Sequence, residues 1–115
     1  MTAKIYHNPR CSKSRQTLEL LRSRHVEPEI ILYLEDVPDA ADLGEILDLL
    51  ELEPRDLMRK KETPYKEQGL NNPDLDRDTL IQAMVKNPIL IERPIVVANG
   101  KAAIGRPPES VLDIL

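Results

Sequence analysis

Phenylalanine and tryptophan are absent from these 115 residues, and tyrosine occurs only three times. A core without large rings has to be assembled from Leu, Ile, Val and Met, and stacking platforms for single-stranded nucleic acid are missing. An excess of positive charge is missing too: 16 Lys and Arg stand against 20 Asp and Glu, for a net charge of −4. Binding a phosphate backbone needs concentrated positive surface, so this balance argues against nucleic acid as a partner. No apolar run approaches the roughly 18 residues that span a bilayer. Met1-Thr2-Ala3-Lys4-Ile5-Tyr6 has no signal-peptide apolar region, so no membrane association is expected.

Cysteine occurs once, at Cys11. An internal disulfide is excluded, and a structural zinc site is not expected, because only His7 and His25 would join that sulfur as soft ligands. No metal is expected anywhere in the chain. A lone thiol stays free in a reducing compartment, so a cytoplasmic location is expected. The length suits a single domain over residues 1–115, and a monomer is the default at this size.

What is present reads as an α/β chain. Residues 3–7 are expected to form a strand that stops at the turn signal His7-Asn8-Pro9. Leu18, Leu20 and Leu21 follow at helical spacing, with Ser12 or Ser14 as N-cap and an end near Arg24. Ile30-Ile31-Leu32-Tyr33-Leu34 is a continuous apolar run, which reads as a strand buried on both faces. Strand, helix and strand within about 35 residues make a βαβ unit with parallel strands.

A mostly helical segment follows. Leu43, Ile46, Leu47 and Leu50 fall at i, i+3, i+4 and i+7. Pro54 suits the first turn of a short helix bearing Leu57 and Met58. Residues 61–75 read as a long polar connection, and Leu80, Ile81, Met84 and Val85 mark another helix that closes before Pro88. Ile95-Val96-Val97 and Ala102-Ala103-Ile104 flank Asn99-Gly100, a strong two-residue hairpin signal. Val111, Leu112, Ile114 and Leu115 then pattern a terminal helix. The expected order is β-α-β, helical segment, β-β-α.

Cys11 falls in the turn between the first strand and its helix. In α/β sheets this carboxyl edge faces a helix N-terminus, where ligands bind. The helix dipole and unpaired N–H groups there stabilise a thiolate, and Arg10, Lys13, Arg15 and His7 push the same way. A thiol of pKa about 8.5 is only a few per cent ionised at pH 7, whereas one near 6.5 is roughly three-quarters thiolate. Most free cysteines are small buried hydrophobes, but polar turn residues surround this one. Cys11-Ser12-Lys13-Ser14 has the spacing of a C-x-x-C motif with serine in second place, so disulfide chemistry has to recruit an outside thiol. A phosphatase-type loop is absent, because Thr17 stands where its arginine belongs. Arg93 before Pro94 and Arg106 before Pro107 reach Cys11 if the first strand and the hairpin share one sheet. Guanidinium groups suit tetrahedral oxyanions because their donors are planar and bidentate. Pro94 is a candidate for a cis peptide bond. His7 either tunes the thiolate or caps the strand, and His25 reads as an exposed residue at the end of the first helix.

Tyr6-His7-Asn8-Pro9-Arg10-Cys11, with Ser14-Arg15 and Thr17-Leu18, resembles the active-site loop of glutaredoxin-coupled arsenate reductases. The likeness continues through Ile31-Leu32-Tyr33-Leu34-Glu35, Leu57-Met58-Arg59-Lys60 with Pro64-Tyr65, and Asn87-Pro88-Ile89-Leu90-Ile91. It runs on through Arg93-Pro94-Ile95-Val96-Val97 and Arg106-Pro107 to Val111-Leu112-Asp113-Ile114-Leu115, nearly the whole chain. The resemblance implies a thioredoxin-like α/β fold with a helical insertion over about residues 40–88. It also implies that Cys11 is the nucleophile that forms a thiol–arsenate adduct. Arg59, Arg93 and Arg106 would bind the oxyanion, His7 would help to depress the cysteine pKa, and the Ser14 hydroxyl would bond the thiolate. Glutathione as co-substrate and glutaredoxin as partner follow from the same resemblance, with no tightly bound cofactor. Where the family's best-characterised loops have Gly-Thr after the cysteine, this chain has Ser12-Lys13. Two other functions fit the same fold: a general glutathione-dependent thiol–disulfide oxidoreductase, and an Spx-type redox-sensing regulator. The latter commonly uses a C-x-x-C switch, from which Ser14 removes one sulfur.

Overall fold

Ala3–Tyr6 forms β1 in the computed structural model of the chain, which describes residues 3–115. α1 (Ser12–Ser23) leads across to β2 (Glu29–Ile31), which lies parallel to β1 with Lys4 opposite Glu29 and Tyr6 opposite Ile31. The ladder runs one bond further, from the His7 N–H to the Ile31 carbonyl at 2.8 Å. β3 (Ile95–Ala98) pairs antiparallel with the other edge of β1, Tyr6 opposite Ile95 and Ala3 opposite Ala98. β4 (Lys101–Ile104) pairs antiparallel with β3, which gives the strand order β2-β1-β3-β4. This is the thioredoxin-like arrangement that the resemblance implies.

Between β3 and β4, Asn99 and Gly100 hold φ of +56° and +71°. Two successive left-handed residues make the mirror-image turn whose twist matches that of the strands it joins. Asn99 also donates from Nδ2 to the Ile114 carbonyl at 2.9 Å, tying down the closing 3₁₀ segment Pro108–Ile114. That segment was expected to be helical, and it takes the tighter form.

The core beside α1 follows the period of two along the strands. Ala3 and Ile5 of β1 and Val96 and Ala98 of β3 face Leu18 and Leu21 of α1, with Val111 and Ile114 from the closing segment. Burying each large aliphatic side chain contributes about 1.5–3 kcal/mol.

Two expectations require correction. The run 30–34 is not a strand buried on both faces. β2 is three residues long and lies at the sheet margin, and Ile30, Leu32 and Leu34 are 39%, 38% and 42% exposed, while Tyr33 is fully buried. The chain turns after Ile31, with the Glu35 and Asp36 N–H groups both reaching the Leu32 carbonyl at 2.9 and 2.8 Å. An apolar run alone does not distinguish an edge strand from a central one. Neither serine is the N-cap of α1; Cys11 itself holds that position in an extended conformation.

Residues Val37–Glu92 form a compact unit of their own, separate from the one made by the residues up to Asp36 with Arg93–Leu115. In it, α2 (Ala40–Leu50) starts at a capping box between Asp39 and Asp42 and buries Leu43, Ile46 and Leu47. α3 (Thr63–Glu67) lies within the stretch expected to be connection, with a proline in its first turn. α4 (Arg77–Lys86), capped by Asp76, buries Leu80, Ile81, Ala83 and Met84. 3₁₀ turns at Pro54–Leu57 and Pro88–Leu90 and a bridge between Met58 and Ile91 complete this unit. Among the described residues no helix is long and apolar enough to cross a membrane.

Candidate active site

The site is assembled by strand register. Tyr6 opposite Ile95 brings the carboxyl end of β1 beside the start of β3, and Ile95 opposite Ile104 brings the end of β4 to the same margin. Arg93 and Arg106 stand two residues outside that last pair, and the Gly105 N–H donates to the Pro94 carbonyl at 2.9 Å between them. Both arginines precede a cis proline, Arg93-Pro94 and Arg106-Pro107. Cys11 arrives from β1 through a tight loop: its N–H donates to the Asn8 carbonyl at 3.0 Å, the Arg10 N–H to Asn8 Oδ1 at 3.0 Å, and Arg15 Nη1 to the Pro9 carbonyl at 2.8 Å.

The partly exposed sulfur therefore sits where a capping oxygen usually sits, at the positive end of α1. Arg106 Nη1 lies 3.9 Å from Cys11 Sγ and also donates to the Arg93 carbonyl at 3.3 Å. The Arg93 guanidinium interacts with both Cys11 and the buried Tyr33. Burial pushes the Cys11 thiol up. The Ser14 N–H, the Arg93 guanidinium and the Lys13 N–H outweigh it and hold the thiol below its ordinary value. A thiolate flanked by two guanidinium groups can attack the centre of a tetrahedral oxyanion while the cations neutralise the charge brought up to it.

His7 and Ser14 meet each other in the loop before α1. His7 is buried, and that burial, with the Arg22 and Arg15 charges behind it, lowers its pKa. Its Nδ1 meets Ser14 Oγ at 2.6 Å, and the same hydroxyl accepts from the Asn8 N–H at 3.0 Å. The Ser14 backbone N–H favours the thiolate, and its hydroxyl links the His7 ring to the loop. Arg59 lies in the Val37–Glu92 unit, where it pairs with Glu92 at 3.0 Å and Glu62 at 3.9 Å. Among the described residues no three His, Cys, Asp or Glu side chains gather as a metal site.

Three contributors were missed. A β-carbon on Gly105 would lie 2.5 Å from Thr17 Oγ1 and 2.8 Å from Pro94 Cγ. The bare backbone lets the strand that delivers Arg106 pass against α1. Thr17 is fully buried and donates to the Lys13 carbonyl at 2.8 Å. Tyr33 looked like strand core; the signal that it differs is a phenol among aliphatic residues, and it is fully buried in interaction with Arg93.

Comparison with known proteins bears on the same residues. Residues 6–114 match the model of the ArsC family. The arsenate reductase of Neisseria meningitidis serogroup B is 51% identical over 113 residues, covering 97% of each chain. The uncharacterized protein YfgD of Escherichia coli K12 is 62% identical over 113 residues, covering 97% of this chain and 95% of that one. Among solved structures, the arsenate reductase of Vibrio cholerae superposes with a TM-score of 0.97 at 52% identity, covering 100% of this chain and 98% of that one.

Proposed function

The chain belongs to the ArsC family, and from that premise we propose that it reduces arsenate to arsenite through Cys11, with glutathione and glutaredoxin supplying the electrons. The observation that carries this reading is the convergence of Arg93 and Arg106 on a thiol already held below its ordinary pKa.

In the first step the Cys11 thiolate attacks arsenic. An S–As bond forms and one As–O bond breaks, its oxygen leaving as hydroxide that takes a proton to become water; arsenic stays As(V). A glutathione thiolate then attacks the Cys11 sulfur. An S–S bond forms and the S–As bond breaks with its electron pair on arsenic, so As(V) becomes As(III) while two thiols become a mixed disulfide. The glutaredoxin thiolate next attacks the glutathionyl sulfur and restores the Cys11 thiolate. The lone cysteine makes the outside thiols necessary. Arg93 and Arg106 hold the oxyanion throughout. Arg59 is the third oxyanion-binding residue that the resemblance implies, and it is paired with Glu62 and Glu92.

The test is NADPH consumption with glutathione, glutathione reductase, glutaredoxin and arsenate. Turnover should require each component and vanish in Cys11→Ser. Full activity in Cys11→Ser would end the assignment. Reduction of glutathionylated substrates with no arsenate turnover would replace it with the general thiol reductase.

A further inference from the structure

A cleft of about 250 Å³ lies against the active-site loop, between residues 7–10 on one side and Leu32, Leu34 and Glu35 on the other. Neither Arg93 nor Arg106 lines it; its walls come from the loop after β1 and the segment after β2. Displacement at a divalent sulfur is in line: the attacking and leaving atoms stand on opposite sides of it. If arsenic is held on the β3–β4 side of Cys11, the incoming thiolate has to approach from the β2 side.

The cleft's lining matches that requirement. Arg10 and Glu35 supply one cation and one anion, both solvent-accessible. Leu32, Leu34 and Pro9 give an apolar wall, although Leu32 and Leu34 are otherwise exposed beside a marginal strand. His7 lines it too, with its Nδ1 held 2.6 Å from Ser14 Oγ. A paired cation and anion select an ammonium and a carboxylate carried on the same small group. Small-ligand sites start at about 300 Å³, so the volume suits an amino-acid-sized end rather than a protein surface.

We propose that this cleft seats the zwitterionic amino-acid end of the reducing thiol, as in the γ-glutamyl group of glutathione, with its carboxylate on Arg10, its ammonium on Glu35 and its sulfur directed to Cys11. This deepens the glutathione-dependent reading above and rests on it.

The test uses S-methylglutathione, which keeps every recognition group and cannot react. Titrated into the full-length ¹⁵N-labelled protein, it should move the amide signals of residues 7–10 and 32–35. Glu35→Lys, an exposed change, should weaken that binding by about fivefold or more and raise the KM for glutathione to match, with the KM for arsenate unaltered. Signal changes confined to the Arg93–Ile95 side, or none at all, in a protein whose turnover still requires glutathione would overturn the cleft and leave the thiol reading standing. Turnover independent of glutathione would overturn both.

Discussion

Gly105 approaches Thr17 so closely that the threonine Oγ1 stands 2.5 Å from the place a β-carbon would take. That contact joins the strand delivering Arg106 to the first turns of the helix that carries the thiol. Gly105→Ala should destabilise the protein by about 1–3 kcal/mol through overpacking and weaken arsenate binding by displacing Arg106. Thr17→Ala removes the nearest atoms, so the double variant should recover part of the loss in a double-mutant cycle. Strict additivity in thermal melts would show that the contact does not couple the two elements.

Gly100 provides the contrast. It has φ of +71° but open space around its α-carbon. Gly100→Ala should therefore cost only the left-handed backbone term, about 1–2 kcal/mol, with the KM for arsenate unchanged. A KM change as large as that of Gly105→Ala would mean that turn strain propagates to the site.

The depressed Cys11 pKa has a direct kinetic readout. Alkylation by iodoacetamide plotted against pH should have its midpoint below the ordinary thiol value of about 8.5. Arg93→Ala should move that midpoint upward, since it removes a hydrogen bond and a charge that favour the thiolate. An unmoved midpoint would leave the Ser14 and Lys13 N–H groups as the sole cause.

For the oxyanion, Arg93→Ala should raise the KM for arsenate about 10- to 100-fold, the range for a lost charge-assisted hydrogen bond. Arg106 is exposed, and its loss should cost less, about three- to tenfold. Steady-state kinetics with glutathione saturating would separate the two, and the reverse order would reassign the principal anchor.

His7 makes stability depend on pH. Its folded pKa lies below the unfolded value of about 6.5, so the unfolded chain binds the proton more readily. Stability from this group is complete above that value and falls away as pH drops toward the folded pKa. His7→Gln should flatten the loss of stability as pH falls below about 6.5, measured by urea unfolding at each pH. An unchanged slope would mean that the buried ring contributes nothing to it.

Element order and the place of Cys11 at a strand–helix turn were legible in the chain because each had a local cause. Asn99-Gly100 announces its own turn, and polar residues around Cys11 mark it as something other than core. Leu43, Ile46 and Leu47 declare a helix face by spacing alone. What stayed hidden depends on which strands become neighbours. Ile30 to Leu34 have the composition of a central strand, and only the order β2-β1-β3-β4 puts them at the margin. The Ser14 hydroxyl and the His7 ring looked like partners of the thiol, and only the folded loop turns them toward each other. Gly105 shows least of all, since the absence of a side chain leaves no mark until something is packed against it.

The hairpin also decides how the anion site is encoded. Arg93 and Arg106 bracket one turn, and the pairing of Ile95 with Ile104 alone brings them level. Their separation is written within a single uninterrupted piece of chain, like a pair of calipers whose pivot is Asn99-Gly100. One residue inserted in either arm would swing that arm's arginine to the opposite face of the sheet. Two inserted residues would return it to the correct face but out of reach. Such a segment therefore tolerates change in its letters more readily than change in its length.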